Sequence, residues 1–282
     1  MTKGISRRAA LRGFGQSVAF GSLAGALSRY ATAAEPAASQ AAPPAAKPAT
    51  TPTGSTICLV MLYPSGDGLK FDADRFRDHH LPLLKSTYSG ALERVELRAP
   101  SPPPALADGA PPPPTPPLLA AVSIWIRDVS KFVAEANAHS KDISADIATV
   151  TNSAPMVQFD RVIGALGAGR EAVAMKTDCI SEYFPVKEGA TWDAQGYIDG
   201  YLAKVYQVYG STAIKRIEIT KGAQGQGGKD PLFLGAAHLY IADDATFDMT
   251  SATDAAKQVA PEAAKYYSTP PFPAYMEVAA VG

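Results

Sequence analysis

Ile57-Cys58-Leu59-Val60-Met61-Leu62-Tyr63-Pro64 returns in altered form as Thr177-Asp178-Cys179-Ile180-Ser181-Glu182-Tyr183-Phe184-Pro185. Cys58 and Cys179 stand 121 residues apart, as do Tyr63 and Phe184, and the pairs Phe71-Asp72 and Trp192-Asp193. Glu93-Arg94-Val95-Glu96-Leu97 recurs as Lys215-Arg216-Ile217-Glu218-Ile219 at a spacing of 122. Ile124-Trp125-Ile126-Arg127-Asp128 recurs as Leu239-Tyr240-Ile241-Ala242-Asp243 at a spacing of 115. A period this long repeats a whole folding unit rather than one turn of a solenoid. The chemical differences between the two copies are then the guide to a site.

Within copy one, Ile57 to Tyr63 is a short apolar strand. Asp72 reads as a helix N-cap, with Phe71 before it and Phe76 four positions on as a hydrophobic staple. Phe76, His80, Leu83, Leu84 and Thr87 share one helix face; in copy two the stripe is Tyr197, Tyr201, Val205 and Val208. Leu92 to Leu97 alternates as a strand, and Pro100 to Pro117 is too proline-rich to pair in a sheet. A strand over Leu118 to Ile126, a helix from about Ser130 to Val150 and a strand over Met156 to Ile163 complete the copy. The order β-α-β-β-α-β is the split βαβ, ferredoxin-like plan. Such a sheet carries helices on one face, and its other face is expected to be apolar and in need of a cover. The expected fold is therefore α+β, with two such repeats packed sheet-to-sheet as an intrachain dimeric α/β barrel, helices outside.

The chain divides accordingly. Residues 1–33 read as a twin-arginine signal peptide: Ser6-Arg7-Arg8-Ala9-Ala10-Leu11-Arg12, a mild apolar run from Phe14 to Leu27, and Ala31-Thr32-Ala33 for cleavage. Residues 34–56 are an Ala/Pro tether unable to bury a core. Repeat 1 spans 57–164, a linker 165–174, and the degenerate repeat 2 spans 175–282. Removing the five basic residues of the leader leaves 21 basic against 27 acidic side chains, a net charge of −6. That balance argues against nucleic acid or anionic membrane as partner. The expected location is the periplasm or the exterior, with the twin-arginine machinery as transient partner, no membrane anchor after cleavage, and a homodimer left open. Cys58 and Cys179 would be permitted a disulfide in that compartment, but both lie in the first strand of their copy and are expected as buried free thiols.

Phe71-Asp-Ala-Asp-Arg-Phe-Arg-Asp-His-His-Leu-Pro-Leu83 resembles the signature of the EthD family, as do Asp146, Asn152, Pro155 and Gln158 its C-terminal part. The likeness covers 57 to 164 well; copy two keeps the frame and loses the motif. It implies a dimeric α+β barrel, here in one chain, and an oxidoreductase-like protein. The wider superfamily includes cofactor-free monooxygenases, isomerases, cyclases and haem peroxidases, so fold alone does not name the reaction.

His80 is the leading catalytic candidate, because a polar ring on a sheet-facing stripe needs a partner or a purpose. Pro82 removes a backbone donor from the same helix, which should loosen there. Copy two has Tyr201 and Ala203 at these positions. Tyr63 and Asp146 are further catalytic candidates, Asp146 either orienting a histidine or capping a helix end. Trp125, Phe76, Tyr201 and His238 are candidate substrate-binding residues, with His238 either partnering Tyr201 in a polar pocket of copy two or simply a satisfied half-buried ring. No metal site is expected, since no histidine pair has ligand spacing, and no cofactor is predicted: nucleotide-loop and haem-attachment motifs are absent from the sequence. These features favour a cofactor-independent enzyme acting on a small hydrophobic molecule, by oxidation or by proton transfer as in an isomerase or cyclase. The alternative is a non-catalytic, ligand-binding or accessory barrel of the cell envelope.

Overall fold

A computed structural model describes residues 56–101, 116–242, 259 and 262–282. The expected signal peptide, the tether up to residue 55 and residues 102–115 of the proline-rich stretch lie outside the described residues. The first half runs β1 (Ile57–Pro64), α1, β2 (Leu92–Pro100), β3 (Leu118–Ile126), α2 (Val129–Val150) and β4 (Met156–Gly167). Helix α1 is built of three consecutive pieces, Ala73–Arg75, the π-helical Phe76–His80, and Leu81–Thr87. The second half runs β5 (Asp178–Pro185), α3 (Ala194–Gly196, π-helical Tyr197–Leu202, Ala203–Ala213), β6 (Ile214–Gly225), β7 (Phe233–Ile241) and β8 (Phe272–Val281).

The eight strands close into one antiparallel barrel in the order β1-β3-β2-β8-β5-β7-β6-β4. The expected α+β barrel is present, built from two four-stranded sheets. The sheets β4-β1-β3-β2 and β6-β7-β5-β8 join edge to edge through β2–β8 and β4–β6, so neither keeps a bare edge or a separate inner face. The longer seam runs from Gln158↔Gly225 to Gly167↔Arg216. It draws β4 on to Gly167, into the stretch expected as linker. Gly167 has φ +83°, and a side chain there would strike the Lys215 carbonyl.

Strand alternation sorts the side chains into two compartments. Ile57, Leu59, Met61 and Tyr63 point outward and pack with Phe76, Leu81 and Leu84 of α1 and Phe132, Ala136 and Ile143 of α2. The second half repeats this with Phe184, Ile217, Ile219 and Leu239 under Tyr197, Ile198, Leu202 and Val205 of α3. Cys58, Val60 and Leu62 point inward, where they meet Trp125, Tyr183, Ala236 and Met276. β1 is thus buried on both faces, which is why it reads as an unbroken apolar run. Both cysteines are buried free thiols.

The lumen is filled, as an eight-stranded barrel allows, but not by apolar groups alone, contrary to the expectation for that face. Trp125 Nε1 donates to Glu218 Oε1 at 2.7 Å, and Tyr240 Oη donates to Glu96 Oε1 at 2.8 Å. Each is an aromatic of one half bonded to the repeated glutamate of the other. Arg216 Nη2 lies 2.6 Å from Glu218, and Arg94 Nη2 3.3 Å from Glu96, so the two halves match in these charges too. Arg98 breaks the symmetry. It donates to Ser181 Oγ (2.9 Å), His238 Nδ1 (2.7 Å) and Ser123 Oγ (2.7 Å), with Glu96 Oε1 3.4 Å from its Nε. The linker contributes a plug: Arg170 reaches Glu218 at 2.6 Å, pairs with Glu93, and stacks over Trp125 at 5.2 Å.

Asp160 is the weak point of this interior. It is 1% exposed and accepts from Gln158 Nε2 (2.6 Å) and Thr220 Oγ1 (2.7 Å). Burial pushes its carboxyl up to about 6, the two hydrogen bonds opposing. A raised acid makes folding more favourable below its unfolded value and less so as pH rises through the folded one. Asp160→Asn is therefore expected to leave stability unchanged near pH 4 and to raise it by up to about 3 kcal/mol above pH 6. Urea unfolding at both pH values tests this; equal effects at the two would refute it.

Candidate active site

His80 lies on the outer face of β1, at the end of the π-helical segment of α1. Its ring lies tilted at 5.2 Å from that of Phe76, and the aromatic contacts continue through Phe71 (5.9 Å from Phe76) to Tyr63 (4.9 Å from Phe71). Leu81 N bonds Phe76 O, five residues back. The helix is thus loosened one residue ahead of Pro82, as the sequence suggested. However, α3 carries a π-segment at the equivalent place with Ala203 in place of proline, so the feature is common to both halves and proline is not its cause.

The neighbouring helix supplies the partner. His80 Nδ1 and Asp146 Oδ2 are 2.7 Å apart; the imidazole side chain is 2% exposed and the carboxylate 24%. Asp146 sits one turn before the end of α2, and that end is tied to the entry of α1. Asp72 N bonds Val150 O, Arg75 Nε bonds Thr149 Oγ1 at 2.6 Å, and Thr149 Oγ1 bonds Asp146 O at 2.6 Å. Asn152 fixes the preceding loop, accepting from Lys70 N (2.7 Å) and donating to Gly68 O (2.9 Å). The carboxylate is therefore aimed by backbone contacts at both helix ends.

A carboxylate can only accept, so Nδ1 carries the proton of the neutral ring and Nε2 keeps the lone pair. Among the described residues Nε2 has no hydrogen-bond partner. Burial holds the His80 pKa below its ordinary value, and the bond and charge of Asp146 partly restore it. The neutral, proton-accepting form is thus the one present near pH 7. The neutral ring also adds stability that is full above the unfolded value and lost as pH falls toward the folded one. A ring-proton NMR titration should place His80 below free histidine; a value at or above it would contradict the geometry.

The seven sequence candidates fall in three places. His80, Asp146, Phe76 and Tyr63 are gathered beneath α1, where burial pushes the Tyr63 phenol strongly up. Trp125 and His238 point into the lumen, fully buried and bonded to Glu218 and Arg98. Tyr201 lies beneath α3, against Tyr197, on the opposite face of the sheet from His238. Tyr201 and His238 therefore form no shared pocket, and His238 is a satisfied ring, neutral because arginine can only donate to it. Burial and the Arg98 charge push its pKa far down.

No family model matches the chain, and no curated protein matches it. Among solved structures the chain is similar to an EthD-like protein from Ralstonia eutropha JMP134, with 27% identity over 37% of this chain and 89% of that one and a TM-score of 0.31. It is also similar to an anthrone oxidase-like protein, with 9% identity over 83% of this chain and 96% of that one and a TM-score of 0.48. A third similarity is to a mutant chlorite dismutase from Candidatus Nitrospira defluvii, with 12% identity over 80% and 93% and a TM-score of 0.41.

Proposed function

We propose that this chain is an exported EthD-like protein of two fused βαββαβ repeats, whose first repeat transfers protons on a small hydrophobic molecule. The observation that carries this reading is the 2.7 Å contact between His80 and Asp146 inside an otherwise apolar layer. Nε2 would take a proton from an acidic C–H or O–H of the substrate. The Asp146 carboxylate would stabilise the imidazolium so formed, and the proton would return to another atom of the same molecule. Phe76, Phe71 and Tyr63 supply aromatic surface along the ring, which suits an aromatic or enolisable substrate. Oxidation in the manner of the cofactor-free monooxygenases rests on the family resemblance alone. The twin-arginine leader supports a periplasmic setting.

The second reading, a binding barrel without turnover, draws on the 2% exposure of the His80 ring. One experiment separates the two. The mature protein is analysed by mass spectrometry for co-purifying small molecules, and these, with a panel of enolisable aromatic ketones, are followed for deuterium uptake from heavy water. Uptake by the wild type and none by His80→Gln supports the enzyme. A bound molecule that never exchanges supports the binder.

A further inference from the structure

The layer beneath α3 uses the same positions as the layer beneath α1, with different chemistry. The bridges Phe71↔Thr151 and Trp192↔Tyr267, and the bonds Asp72 N to Val150 O and Asp193 N to Tyr266 O, align the halves here. On that alignment Met61, Phe76, His80 and Thr151 correspond to Glu182, Tyr197, Tyr201 and Tyr267. Asp146 corresponds to Glu262, which bonds Lys265 and Tyr266 instead. The imidazole–carboxylate pair is gone, and one carboxylate with three phenols has taken its place.

Glu182 Oε2 accepts from Tyr197 Oη at 2.6 Å. Tyr197 is fully buried and holds the carboxylate from behind, while Glu182, Tyr201 and Tyr267 are half-buried. The Tyr201 and Tyr267 rings lie 4.7 and 6.4 Å from that of Tyr197. Among the described residues Oε1 of Glu182 accepts no hydrogen bond, and no basic side chain is within ion-pair distance of the group. A half-buried carboxylate without a counter-charge bears part of the cost of leaving water. Flanking π-faces add attraction for a positive group. Burial raises the Glu182 pKa against the Tyr197 bond, and its charge helps raise the phenols of Tyr197, Tyr201 and Tyr267, as expected of groups close enough to feel one negative charge.

We propose that Glu182, Tyr201 and Tyr267 form a second ligand site, specific for a small organic ammonium ion, whose positive charge supplies the counter-ion that Glu182 does not find among the described residues. The site is independent of the proton-transfer reading of the first half. Its test uses the full mature chain near neutral pH, with choline and its uncharged carbon isostere 3,3-dimethylbutan-1-ol, read by saturation-transfer NMR and thermal shift. Choline is expected to bind saturably, about tenfold or more tighter than the alcohol. Glu182→Gln should weaken choline by about tenfold or more with an unchanged near-ultraviolet circular dichroism spectrum, while His80→Gln leaves binding in place. Should Glu182→Gln misfold, Tyr267→Leu keeps the charge, removes one π-face and is expected to weaken choline severalfold. Equal affinity for the two probes, no saturable binding, or affinity unchanged in the folded variants would overturn the proposal.

Discussion

Arg98→Ala is expected to lose about 3–5 kcal/mol of stability, the usual loss when one member of a buried charged network is removed. The guanidinium is fully buried, and its removal takes a donor from Ser123, Ser181 and His238 and a positive charge from Glu96. These groups come from β2, β3, β5 and β7, so the loss is spread over both halves of the barrel. A domain stable by roughly 5–15 kcal/mol would be left marginal. Arg77 is the control. It pairs with Asp74 and Asp78 on the surface, where solvent screens the pairs, and Arg77→Ala should leave stability almost unchanged. Guanidinium unfolding of the two variants measures the contrast. A loss from Arg98→Ala no larger than that from Arg77→Ala would show that the lumen network is not what holds the halves in register.

His80→Gln is expected to slow proton exchange by about 10²–10⁴-fold, the span ordinary for a general base, with little change in melting temperature. Glutamine can still hydrogen-bond Asp146 but offers no basic nitrogen. Asp146→Asn should act differently. Its amide oxygen can still accept from Nδ1, so the tautomer survives, but the charge that supports the imidazolium is lost. Since Asp146 raises the His80 pKa against the effect of burial, this variant should move the acidic limb of the pH–rate profile to lower pH and lower the plateau rate. A merely structural aspartate would change stability and leave the profile where it was. Unaltered exchange in His80→Gln would remove the first half as the seat of chemistry.

Much of this architecture was legible in the repeat. The strand over Leu118 to Ile126 and the helix ending at Val150 follow from periodicity, and the caps at Asp72 and Asp193 from residue type; both carboxylates accept from a backbone N–H three residues on. The His80–Asp146 contact matches one of the two roles the sequence left open for Asp146, and His80 stood out as a polar ring on a sheet-facing stripe. What escaped the reading was the lumen. In β2, Arg94, Glu96 and Arg98 alternate with Val95 and Leu97, a pattern that normally puts charge in water. Here the helices claim the apolar side, and barrel closure turns the charged side inward. The clue was the return of Arg94 and Glu96 as Arg216 and Glu218, because a solvated face has no reason to repeat its charges in register. The closed seams were hidden for another reason: strand pairing between the halves depends on backbone bonds at Gln158–Gly167 and Glu96–Pro100, which leave no mark in hydropathy. The Glu182 cluster was equally obscured, since a glutamate in a strand and tyrosines on a helix look unremarkable until the halves are superposed.

Circular closure also limits how copies of this molecule can meet. Among the described residues every strand is hydrogen-bonded on both sides, so the barrel offers no ladder to recruit a neighbour's backbone by strand addition or fibril-like stacking. Copies meeting at the barrel wall would touch through side chains of its helices and loops, surfaces that can be altered one residue at a time without disturbing the strands beneath.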